Sequence, residues 1–147
     1  MKFQTLALYA TLLVASPLSL GADTPATRTT AKDVSRKAED AAHAVGKYTI
    51  QQRDDALKAA KSALDDADAR LQALDRKLEH EWGQMDQAAR KKARAAQDGL
   101  RKERTEVAEW YGKLERSSAE SWDEVKSGFV KSYDKLAASF TRARGSP

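Results

Sequence analysis

The chain has no cysteine, so it forms no disulfide and carries no thiol chemistry, and its stability rests on packing alone. Proline is scarce, at three residues, and none falls between Pro25 and Pro147. A stretch of that length without a helix breaker favours long helices. Aromatic residues make up only 7% of the chain while 33% is charged. That balance leaves too little apolar surface for a thick globular core and enough for a narrow seam between helices. A glycine-rich phosphate loop is missing, as is any serine or acid spaced with a base for nucleophilic chemistry. The composition points away from an enzyme and implies no cofactor.

What is present begins with an expected signal peptide over residues 1–22. Lys2 supplies a positive start, Phe3 to Val14 an apolar run, and Pro17 interrupts it ahead of Ser19-Leu20-Gly21. Those small side chains suit cleavage after Gly21 or Ala22. The run is shorter than the ~20 residues that span a bilayer, which favours cleavage over an uncleaved anchor. The expected location is the periplasm or cell envelope. Residues 23–30 read as a flexible leader, and 144–147 as a disordered tail. Loss of Lys2 lowers the net charge from +4 to +3. That is a mild excess for an exported protein, and nucleic acid is not an expected partner.

The strongest pattern in the remainder is a heptad seam. Leu57, Leu64, Leu71, Leu78 and Met85 recur every seven residues, with Ala60, Ala67 and Leu74 three positions after the first three. Two further series follow, from Ala89 to Leu114 and from Trp122 to Phe140. Gly83 separates two halves of similar length, and a turn there lets each half bury the other's seam. The expected fold is all-α, a long antiparallel helical hairpin or coiled coil over 31–143. Its first arm is 31–82, opening at a Thr30–Asp33 cap, its turn lies about 83–85, and its second arm is 86–143. Folding about Gly83 sets Leu71, Leu74 and Leu78 against Ala96, Ala93 and Ala89, large against small. It also puts Asp65 and Asp66 opposite Lys102 and Arg104, and Glu79 near Arg90 and Lys91. Arms of that length make a rod on the order of 75 Å. Ser117 and Glu120 have the spacing of a capping box, so a break near 117 would give a third helix.

Four constellations invite a chemical reading. His80-Glu81-Trp82-Gly83-Gln84 starts like a zinc-protease helix, but Gln84 stands where the second imidazole is required, so no metal site is expected. His43, set among alanines, reads as a seam or flank residue. Asp65, Asp66 and Asp68 form an acidic run inside the heptads, where the bent loop of a Ca²⁺ site has no room. Arg90, Lys91, Lys92 and Arg94 are candidate contacts for an anionic surface, against a plainer role in solubilising and pairing the arms. Trp110, Trp122, Phe129, Tyr133 and Phe140 are a candidate interaction face, with seam packing as the plainer role.

Over Ser118-Ala119-Glu120-Ser121-Trp122-Asp123-Glu124-Val125-Lys126-Ser127-Gly128-Phe129 and Ser132-Tyr133-Asp134-Lys135-Leu136, the chain resembles a family of small bacterial coiled-coil stress-response proteins. Trp122-Asp123-Glu124-Val125-Lys126 and Tyr133-Asp134-Lys135-Leu136 are similar to that family's repeating aromatic–acidic–leucine–lysine unit, eleven residues apart. The export signal and Tyr133 in place of tryptophan depart from its pattern. The resemblance implies a role under stress without catalytic residues. The expected function is a non-enzymatic, exported envelope protein acting by protein–protein interaction, including self-association. The alternatives are a periplasmic holdase chaperone for unfolded clients and an amphipathic binder of anionic membrane surfaces.

Overall fold

The computed structural model describes residues 31–144. The expected signal peptide, the leader with its Thr30 cap and residues 145–147 of the tail lie outside the described residues. Four helices account for most of the rest: α1 Ala31–Val45, α2 Arg53–Glu81, α3 Gln87–Arg116 and α4 Trp122–Arg144. The protein is all-helical, with no strand among the described residues.

Each connection has a local cause. After α1 the backbone tightens, Gly46 N donating to His43 O and Lys47 N to Ala44 O. Gln52 Oε1 then accepts from Thr49 N at 3.1 Å, at the start of a single 3-10 turn over Ile50–Gln52 that leads into α2. α2 ends in a second such turn, Trp82–Gln84, and Asp86 caps α3 by accepting from Ala89 N at 2.7 Å. Between α3 and α4, Ser118 N donates to Ser121 Oγ and Ser121 N to Ser118 Oγ. The break expected near 117 is therefore present, but its reciprocal pair is Ser118 and Ser121 rather than Ser117 and Glu120.

The two continuous arms of the expected hairpin are thus replaced by four helices. α1 packs on α2, α2 on α3, α3 on α4, and α4 returns to α1, closing a ring. The longest helix has 30 residues, so the body is ~45 Å long rather than 75 Å. Across α2 and α3, Arg104 Nε meets Asp68 at 2.6 Å and Arg101 Nη2 meets Asp75 at 3.0 Å. The numbers rise on one helix as they fall on the other, so the pair is antiparallel. The expected opposites Asp65 and Asp66 instead pair within α2, with Lys61 and Arg70. The reversal occupies residues 82–86, which displaces the register by about one helical turn from a pivot at Gly83.

The reason for folding back is the aromatic series. Trp122, Phe129, Tyr133 and Phe140 are all 5% exposed or less, packed with Ala38, Ala42 and Val45 of α1 and with Leu100, Val107 and Leu114 of α3. Small residues on α1 and α2 let those rings come close to the backbone. One knot locks the end of the ring where two connections meet. Trp122 Nε1 and Lys126 Nζ both donate to Tyr48 O, at 2.9 and 3.0 Å. Arg53 reaches from α2 to donate to Ser117 O and lies over the Trp122 ring. Loop, helix and loop are joined by these few bonds.

Two glycines test this packing in opposite directions. The Trp110 ring lies on Gly128, and a Cβ there would collide with three ring carbons. Gly99 has open space around it. Gly128→Ala should lower stability by about 1–2 kcal/mol, the overpacking cost exceeding the gain in helix propensity. Gly99→Ala should raise it by about 0.5–1 kcal/mol. Urea titration of both variants gives the two signs.

Burial pushes the Tyr133 hydroxyl up to about 12 from an ordinary value of 10.0. The fold favours the neutral phenol, so the unfolded chain ionises first. Stability that is intact below about pH 10 is then lost as pH rises toward about 12, by on the order of 2 kcal/mol. Tyr133→Phe should remove that part of the alkaline decline, measured as unfolding free energy between pH 9 and 12 against the parent chain.

Candidate functional site

The ring is closed over only part of its length. No residue of α2 is buried after Leu71, and none of α3 before Leu100. Among the described residues, the α2–α3 pair therefore forms a tip whose seam is covered on one side only. Leu74, Leu78 and Met85 face Ala89, Ala93 and Ala96 across a groove of about 660 Å³, bounded at one edge by Ser139 and Ala143 of α4. That size lies within the ~300–1,000 Å³ range of ligand clefts.

The groove's charges are mixed. Lys77 and Glu81 stand one turn apart on α2, while Lys92 and Glu103 are about three turns apart on α3. The Oε2 of Glu103 is buried and accepts no hydrogen bond among the described residues. Lys77 Nζ and Glu81 Oε1 are 4.0 Å apart, a loose contact between side chains 63% and 43% exposed. Such a pair contributes ~0–1 kcal/mol, so these charges remain available to a partner.

The sequence-derived candidates divide between core and surface. The proposed interaction face is corrected: Trp122, Phe129, Tyr133 and Phe140 are interior, where ring closure by α1 and α4 has enclosed them. Trp110 is half-buried, held between Gly128 and the Lys113 ammonium, 3.9 Å from the ring centroid. Of the basic cluster, Arg90 and Arg94 lie over the Trp82 ring at 5.4 and 4.7 Å, and Arg90 Nε also donates to Trp82 O. Both guanidiniums thereby brace the turn. Lys91 and Lys92 are exposed, and Lys92 lines the groove. His43 sits on the flank, its Nε2 2.6 Å from Asp134 of α4.

His80 is exposed, and among the described residues no group of three or more His, Cys, Asp or Glu is placed to hold a metal ion. No helix among them is long and apolar enough to cross a membrane. Leu78 and Met85 were legible as seam residues. Their partial cover among the described residues was not, because it depends on how α1 and α4 flank them.

A second polar cluster lies beside the closed core. Arg70 Nε is 2.6 Å from Asp66 Oδ2, off the line of a hydrogen bond, and the guanidinium lies over the Phe140 ring. With Ser35, Arg36, Glu39 and Arg144 it borders a smaller cavity of about 420 Å³. Arg70 already has Asp66, so this cluster reads as the rim of the core.

Comparison of the chain with protein-family models, with curated proteins and with solved structures gives no match.

If the tip's apolar residues serve binding rather than folding, their removal should be cheap. Leu78→Ser is expected to cost less than about 1 kcal/mol, against about 2–4 kcal/mol for Leu100→Ala in the core. Equal costs from thermal or urea unfolding would make the tip part of the folding core.

Proposed function

We propose that the protein is a non-enzymatic binding protein of the bacterial cell envelope, exported and active in stress response, whose groove at the α2–α3 tip receives an apolar helical segment. In this reading α2 and α3 form a coiled-coil hairpin element, anchored in the ring at one end and free to engage a partner at the other. The observation that carries it is the uncovered seam. Leu78 and Met85 continue the heptad spacing of the buried Leu64 and Leu71, yet are only partly buried, with the groove open beside them. An apolar stripe maintained beyond the reach of the core marks a contact surface. Dedicated partners and unfolded clients present the same chemistry to such a groove, an amphipathic segment with leucines on one face.

The export and stress-response parts of the reading rest on the sequence: the N-terminal leader pattern and the Trp122 and Tyr133 repeat units. The membrane-surface alternative has less support. Two of its four cations, Arg90 and Arg94, are engaged with Trp82, and the groove beside Lys92 carries acidic residues as well.

The test is fluorescence-anisotropy titration with a labelled amphipathic peptide, helical in solution, near-neutral in charge and leucine-rich on one face. Saturable binding is expected, weakened about tenfold or more by Leu78→Asp. Absence of binding, or binding indifferent to Leu78, would refute the groove as the binding surface.

A further inference from the structure

Among the described residues, the groove is an unfilled place in the ring. α1 packs on both α2 and α4, and its described residues border α2 as far as Arg70, which shares a cavity wall with Ser35, Arg36 and Glu39. Farther toward the tip, the lane between α2 and α4 is bounded by Leu74, Lys77 and Leu78 on one side and by Ser139 and Ala143 on the other. From Leu71 to Glu81, α2 offers this lane about 16 Å of helix, three turns. What the lane accepts is a fourth helix with leucines along one face, no longer than that.

We infer that the occupant is α2 of a second copy, laid antiparallel across a two-fold axis near Glu79, so that each tip fills the other's open lane. This rests on the groove being a binding surface and names its partner. Length is the first support. With the axis there, the partner's Gln84 comes level with Leu74, short of Arg70, where α1 borders α2 among the described residues. Charge is the second. Lys77 and Glu81 both line the groove, mostly exposed and only loosely paired with each other. The two-fold sets Lys77 against the partner's Glu81 and Glu81 against the partner's Lys77. A lane of one sign would repel its own copy, whereas this one is complementary to itself. Leu78 of each copy lies one position from the axis, so the two leucines are neighbours at the centre of the contact. Three turns per copy lie at the small end of specific interfaces, which sets the expected dissociation constant in the micromolar range, ~1–100 μM.

Sedimentation equilibrium on the full chain across that range tests the inference. The parent chain should show a monomer–dimer equilibrium. Leu78→Asp should weaken it about tenfold or more, with helix content by circular dichroism unchanged. Lys77→Glu and Glu81→Lys should each weaken it several-fold, and the two together should restore it, because reversing both signs recreates the attraction. A chain that stays monomeric while still binding the amphipathic peptide overturns self-docking and leaves the groove reading standing. A monomer that binds no peptide removes both. A dimer indifferent to Leu78→Asp, or one that the double reversal fails to restore, also overturns the inference.

Discussion

The structure depends on how far the ring of four helices is closed. Among the described residues, α1 supplies 15 residues beside the 29 of α2, about half of the helix it packs on. Over that half the ring closes and every large aromatic of α4 finds an enclosed site. Over the other half α2 and α3 have only each other and the last turns of α4. A helix pair buries one stripe per helix, and a third and fourth neighbour are needed to bury the rest. The closed core and the open groove therefore follow from where, among the described residues, the ring is complete.

Within the closed half, apolar packing sets the arrangement and charge only refines it. Trp122, Phe129, Tyr133 and Leu136 are almost fully buried. The ion pairs that cross helices, Asp68–Arg104, Asp75–Arg101 and Glu106–Lys135, are all partly exposed. Pairs of that kind contribute little individually, but they exclude other registers of α2 on α3. The polar groups that matter most lie at the loop end, where Arg53 and Trp122 each occupy the carbonyl of another segment. Buried carbonyls left without donors would cost more than these bonds gain. The knot therefore fixes where the ring begins.

Much of this was legible from residue spacing. The all-helical class followed from heptads and the lack of proline. Gly83 marked the neighbourhood of the turn between α2 and α3. The four-helix ring was harder to see, because Gly46-Lys47-Tyr48-Thr49 interrupts α1 and α2 without a proline or a strong turn signal. Its stopping power comes from tertiary bonds to Tyr48 O, supplied by residues more than seventy positions away. For the aromatic residues the spacing left both a contact face and seam packing open, for the same reason: a period of three and four marks an apolar face but not what covers it. The groove went unseen since its walls carry the same leucines and alanines as the core.

The central claim is that one half of the molecule is closed and stable while the tip is held only by its own hairpin. Residue-resolved hydrogen exchange of the native protein reads that directly. Amides of α3 from Leu100 to Leu114 and of α4 from Val125 to Leu136 should exchange only through global unfolding. Those from about Leu74 to Ala93 should open locally at several kcal/mol less. Uniform protection along α2 and α3 to within about 1 kcal/mol would contradict the account, because the tip would then be as well covered as the core.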